Sequence, residues 1–209
     1  MRTKSDEKRQ SILDVAAEVF REAGFERASM SEICTRVGGS KATLYNYFPS
    51  KEELFFEVMF LSTEAEFEAT HKALDPATED IAANLRHFGE RFLALLYSPE
   101  VLAVRRLIVA ESGRSHLGRL CYERGPQRSQ ADISNFLANA MAQGRLRQDN
   151  PMIATLHLRG LLEAELFDRF LFQVDDSVSK KEIKAIAERA IRVFMAAYGP
   201  VTTLRFKTE

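Results

Sequence analysis

Between Ser40 and Lys51 the chain places Lys41, Ala42, Thr43, Asn46 and Tyr47 close together, with no carboxylate among residues 40–51. If this stretch is helical, its turn of about 100° per residue puts Ala42, Thr43, Asn46 and Tyr47 on one face and Leu44 and Phe48 on the opposite one. The first face offers a small side chain and a methyl for thymine methyls, a hydroxyl, an amide that can pair with adenine, and a phenol. Lys41, in the first turn, has a stem long enough for a phosphate or a guanine edge. Ser50, Lys51 and the amides opening the next helix form an anion site, and Ser29 at the start of an earlier helix forms another. Phosphate contacts that set position, flanking a face that can read base edges, are what duplex DNA requires.

Such a face is useful only if neighbouring elements hold it outward. Ile12, Leu13, Ala16, Ala17, Val19 and Phe20 fall at helical spacing over residues 7–23, and Gly24 follows where a helix would stop. Ser29 and Glu32 have capping-box spacing and open a short helix through Val37, which Gly38-Gly39 breaks. Ser40 caps a second short helix, residues 41–48, ending at Pro49. Ser50 and Glu53 repeat the capping-box spacing and open a long helix to about Leu74. Two short helices around a glycine turn cannot bury their apolar faces alone. Leu44 and Phe48 are therefore expected to pack on Ile33, Val37 and Phe20, in a helix-turn-helix whose second helix enters the major groove.

Beyond Asp75-Pro76 the pattern stays helical. Ile81, Leu85, Phe88, Phe92 and Leu95 form an amphipathic stripe, Pro99 opens another helix, and residues 112–118 read as an irregular turn. Further helices are expected over 127–143 and 151–173, and over a last stretch capped by Asp176 or Ser179 and ending at Gly199-Pro200. No alternating strand pattern and no repeat competes, so the fold class is all-α with about nine or ten helices.

Composition fits an ordinary globular chain: 45% hydrophobic, 28% charged and a net charge of −1. Residues 1–51 hold nine Lys and Arg against seven Asp and Glu, while the remainder is net acidic. No run of 18 apolar residues suggests a membrane span, and the charged start MRTKSDEKRQ does not read as a secretory leader. No membrane partner is expected, and the cell interior is the expected location. Cys34 and Cys121 are isolated, and His71, His87, His116 and His157 lack ligand spacing, so neither a metal nor another cofactor is expected.

The motif AAEVFREAGFERASMSEICTRVGGSKATLYNYFPSKEELF, within residues 7–55, resembles the N-terminal domain of TetR-family transcriptional regulators. Gly39 stands where that family usually has an apolar residue, which is expected to loosen the turn's hold on the core. The resemblance implies phosphate contacts from Ser29, Tyr45, Tyr47 and Lys51, and base or mixed contacts from Ser31, Lys41, Ala42, Thr43 and Asn46. Tyr45 is open between phosphate contact and core packing; Phe48 reads as core. The basic start, Arg2, Lys4, Lys8 and Arg9, is either a solvated tail or an arm on the DNA backbone.

The resemblance further implies two domains: residues 1–51 for DNA binding, and residues 52–209 for ligand binding and dimerisation. A pocket for a small apolar or amphipathic effector is expected from Phe88, Phe92, Leu96, Leu107 and Ile108, with Arg105, Glu111, His116 and Tyr122 as polar candidates. The helices over about 127–143 and 151–173 are candidates for a dimer seam; the second, unusually apolar, is either part of that seam, through Leu158, Leu162, Glu165, Leu166 and Arg169, or the central helix of its domain. Function is thus expected to be that of a dimeric, ligand-responsive regulator of double-stranded operator DNA, most often a repressor in that family. An all-α enzyme carrying a helix-turn-helix lacks any nucleophile–base–orienter set. A DNA-tethered protein that engages another protein would need an exposed apolar patch instead of a cavity.

Overall fold

Helix caps set the order of elements in the computed structural model, which describes residues 4–111, 113–174 and 177–200. The helices are α1 (Lys4–Arg27), α2 (Met30–Val37), α3 (Lys41–Tyr47), α4 (Lys51–Lys72), α5 (Ile81–Leu96), α6 (Pro99–Glu111), α7 (Leu117–Arg124), α8 (Pro126–Ala142), α9 (Pro151–Glu163), α10 (Phe167–Leu171) and α11 (Lys180–Tyr198). Among the described residues there is no strand. The Ser hydroxyls act as expected: Ser29 accepts from the Glu32 amide at 3.2 Å, Ser40 from Thr43 at 3.1 Å and Ser50 from Glu53 at 3.1 Å. Ser179 caps α11 through the Glu182 amide; the alternative cap, Asp176, lies outside the described residues, as does Arg2.

Two compact units result. One comprises the described residues up to 65 and those between 103 and 117, the other the described residues between 66 and 102 and from 118 onward. The division expected after Lys51 is therefore displaced, because α4 runs without a break from Lys51 to Lys72 and residues 103–117 join the first unit.

In the first unit α1 buries Ile12, Leu13, Ala16, Val19 and Phe20 against Ile33 of α2, Leu44 of α3, Phe48 and the Leu54–Val58 turn of α4. Gly24, at φ 75°, kinks the chain inside α1, a conformation an L side chain resists. Phe20 and Phe25 both pack on Phe55, with centroids 5.1 Å and 4.9 Å away.

The second unit is built on α5, α8, α9 and α11. Leu85, Phe88, Ile133, Leu137, Leu158, Leu162 and Phe194 are its fully buried centre. Gly89 permits the closest approach: a Cβ there would stand 2.8 Å from Leu162 Cδ2. Two elements differ from expectation. Residues 117–124 are helical, opened by the buried Leu117. The helix expected over 151–173 is two, divided at residues 164–166, with Leu166 and Phe170 both drawn into the core. Neither glycine nor proline marks that break, so periodicity could not reveal it.

Candidate nucleic-acid interface

The short helix α3 is amphipathic in the sense its sequence requires. Leu44 and Phe48 are 3% and 2% exposed, while Lys41, Ala42, Tyr45 and Asn46 face solvent and Thr43 and Tyr47 are half-buried. Of the two readings of Tyr45, its 46% exposure excludes core packing. Ser29 and Ser31 are exposed at the start of α2. No acidic residue lies on α3, so the outward face can approach a polyanion without a carboxylate to desolvate or repel it.

Contacts on both sides hold this face in place. The Tyr47 hydroxyl lies 3.2 Å from Ser5 Oγ, joining α3 to the first turn of α1. Lys8 Nζ donates to the Val37 carbonyl at 3.4 Å. Arg9 pairs with Glu57 at 2.7 Å, its guanidinium lying 5.1 Å from the centre of the Phe48 ring. Lys4, Lys8 and Arg9 are thus in a helix rather than a tail, and the last two are engaged within the unit. Arg36 bridges Glu22 and Glu32, each at 2.8 Å, fastening α2 to α1; the Glu22 hydrogen bond in particular raises its pKa.

Lys51 is placed differently from a free phosphate ligand. Its ammonium donates to the carbonyls of Phe25 at 2.8 Å and Ala28 at 3.2 Å, and lies 4.3 Å from the centre of the Phe25 ring. These carbonyls belong to the kinked end of α1 and the turn before α2, so the charge serves as a strut. Spacing alone could not show this, because Lys51 and Phe25 stand 26 residues apart.

The turn before α3 is tied as well. Gly38 adopts the left-handed conformation at φ 68° and its amide donates to Cys34, whose Sγ lies 3.1 Å from the Gly39 carbonyl oxygen. Cys34 thereby substitutes a polar tie for the apolar anchor that Gly39 lacks.

Residues 12–58 match the family described as bacterial regulatory proteins, tetR family, and residues 83–200 match the AefR-like transcriptional repressor, C-terminal domain. A TetR-family transcriptional regulator from Mesorhizobium loti superposes with a TM-score of 0.80 at 30% identity, covering 95% of this chain and 100% of that one. The chain belongs to the TetR family. The flavonoid-responsive regulator FrrA is also similar, at 32% identity and a TM-score of 0.69 over 93% of this chain and 98% of that one. The transcriptional activator FasR of Mycolicibacterium smegmatis is 37% identical over 75 residues, 36% of this chain and 34% of that protein. The chain spans about a third of the length of the curated relatives it matches. This TetR-family chain is a DNA-binding transcriptional regulator, and its relatives are regulators rather than enzymes. No described helix is long and apolar enough to cross a membrane.

The effector residues expected in this TetR-family chain fall into both units. Phe88 and Phe92 stack at 5.5 Å within the second unit, with Leu96 packed against the same core. Arg105, Leu107, Ile108, Glu111 and His116 belong to the first unit, where Leu107 joins the core and His116 lies 3.7 Å from Glu53. Tyr122 is exposed, 3.4 Å from Gln130.

Three leucines of the expected dimer seam require correction. Leu158, Leu162 and Leu166 are each 0% exposed inside their own unit, leaving no surface for a partner. Glu165 accepts two hydrogen bonds from Arg189, at 2.8 Å and 2.6 Å, which lowers its pKa, and Arg169 pairs with Glu182 at 2.6 Å. The alternative, a central helix of the domain, describes these leucines. What α9 and α10 expose is a different apolar set, Met152, Ile153, Leu156, Phe167 and Leu171, joined by Phe172 just after α10.

Proposed function

We propose that the protein is a ligand-responsive repressor that binds a near-palindromic operator as a homodimer. The observation that carries this reading is the acid-free outward face of α3; Lys41, Ala42, Thr43 and Asn46 are assigned to base edges, and Ser29, Tyr45, Tyr47 and the α4 amides to flanking phosphates. One seven-residue helix makes too few contacts for specificity, so two half-sites roughly 34–36 Å apart, or a multiple of that, are read together. The match of residues 83–200 to a repressor-type C-terminal domain supports the sign of regulation.

The exposed apolar residues of α9 and α10 are assigned to the dimer partner. A second copy supplies an identical apolar surface across a two-fold axis, which removes this patch from water on both protomers. The effector is assigned to the second unit as a small amphipathic molecule, a reading supported by the likeness to FrrA, whose description is flavonoid-responsive. It acts by favouring one arrangement of the DNA-binding helices, and the change in operator affinity equals its differential affinity for the two states.

Footprinting followed by a mobility-shift salt series tests the DNA step. The expected result is a protected near-palindrome whose affinity falls steeply and log-linearly with salt. Protection that tracks no sequence at any salt concentration sinks this function.

A further inference from the structure

α3 is too short to fix its own direction. Its seven residues span about 10 Å, and a helix of that length is marginal on its own. The angle at which its outward face meets DNA is therefore set by whatever grips its ends.

One face of α1 grips the C-terminal end. Ser5 and Arg9 stand one turn apart, at the spacing that brings two side chains together on a helix surface. Ser5 Oγ meets the Tyr47 hydroxyl at 3.2 Å, and the Arg9 guanidinium lies 5.1 Å from the ring centre of Phe48, the residue that caps α3. Arg9 also reaches α4, where its Nη2 donates to Glu57 Oε2 at 2.7 Å. The Glu57 side chain is 13% exposed, so water screens this charge-assisted hydrogen bond less than it would a surface pair. Three helices meet at one guanidinium: α1 carries it, α4 holds its charge, and the end of α3 packs against it.

We infer that Arg9 is a positioning residue for DNA recognition, locking the C-terminal end of α3 to α4 and so setting the angle at which Ala42, Thr43 and Asn46 approach the bases. The rival role, a phosphate ligand in a basic arm, differs in its charge balance. Arg9 and Glu57 sum to zero within the unit, and a phosphate would have to displace a carboxylate already at 2.7 Å. The two roles also fail differently. Base-edge hydrogen bonds weaken steeply with angle, whereas attraction to phosphates is sequence-independent and tolerant of orientation. An α3 released from Arg9 loses specific affinity and keeps non-specific affinity. The inference rests on the assignment of α3 to the major groove and requires no effector.

Mobility-shift titrations on the footprinted operator and on a scrambled duplex, each over a salt series, test it. The variants are Glu57→Gln and the double variant Arg9→Gln with Glu57→Gln, whose net charge equals that of wild type; circular dichroism reports folding. The double variant is expected to bind operator about tenfold more weakly, with wild-type affinity for the scrambled duplex and a wild-type salt slope. Glu57→Gln is expected to bind operator about threefold more weakly, since an amide oxygen makes a weaker hydrogen bond than a carboxylate. Its sign is decisive, because removing a negative charge by itself favours DNA. Should the double variant not fold, Glu57→Gln, which keeps the shape of its side chain, carries the test. An unchanged ratio of operator to scrambled affinity in a folded variant, or tighter operator binding by Glu57→Gln, overturns the inference. A salt slope reduced by about one in the double variant overturns it by making Arg9 a phosphate ligand. Wild-type protein that protects no sequence removes the groove assignment, and this inference with it, before any variant is compared.

Discussion

Lys51 Nζ donates to the Phe25 carbonyl at 2.8 Å while sitting 4.3 Å from the centre of the same residue's ring. One cation thus satisfies the end of α1 and clamps the aromatic cluster of Phe20, Phe25 and Phe55. Lys51→Ala is expected to cost about 1.5–3 kcal/mol of stability, the magnitude of hydrogen bonds to a charged group, measured by urea denaturation. Because the charge is spent internally, the salt slope of operator binding should stay unchanged. A slope reduced by about one would instead mark Lys51 as a phosphate ligand.

Substitutions on the outward face of α3 should separate into two kinds. Tyr45→Ala is expected to weaken binding to all sequences to a similar degree, since its exposed phenol meets the backbone. Asn46→Ala should relax preference at one base position by about 1–3 kcal/mol. Competition binding on operator variants distinguishes them, and an unchanged preference after Asn46→Ala would mean that face is not the reading face.

Gly39 is free to carry a side chain. Its φ lies outside the left-handed region, and an added Cβ would approach only the end of the Lys8 side chain, at 3.8 Å. Gly39→Ala should therefore raise stability by about 0.4–1 kcal/mol by restricting the unfolded chain. A lower melting temperature would show that the Gly38–Gly39 turn needs both glycines.

His71 makes the second unit sensitive to acid. Burial, above all, lowers its pKa from the ordinary value of 6.5, with help from Arg128 and Arg159 and against the pull of the Phe67 carbonyl and Asp132. The unfolded imidazole thus binds a proton more readily than the folded one. The stability it contributes is complete above about pH 6.5 and is lost progressively as pH falls through the lower folded value. His71→Asn, which can keep a donor to Phe67, should flatten the fall in melting temperature between about pH 7 and 5. Parallel profiles for variant and wild type would assign the acid sensitivity elsewhere.

The two apolar populations of α9 predict opposite failures. Ile153→Asp or Leu156→Asp, both on exposed residues, should leave a folded monomer by sedimentation. Leu162→Ala, inside the core at 0% exposure, should cost about 2–5 kcal/mol through the cavity it leaves without changing the dimer constant of the folded fraction. A dimer that survives Leu156→Asp would place the interface on another surface.

Much of the first unit was legible in the chain because local chemistry encodes it. Ser29, Ser40 and Ser50 cap the helices they precede, Gly24 and Gly38 take the positive φ that few other residues tolerate, and a turn of about 100° per residue sends Leu44 inward and Asn46 outward. These determinants act within four residues, so reading along the sequence finds them. Lys51 on Phe25, His71 on Ser129, the break between α9 and α10, and the burial of Leu158 and Leu162 depend on groups brought together from distant positions. An apolar stripe records that a face must leave water but not which neighbour covers it. That choice belongs to packing in three dimensions, which set the dimer-seam leucines in the core and left Ile153 and Leu156 outside.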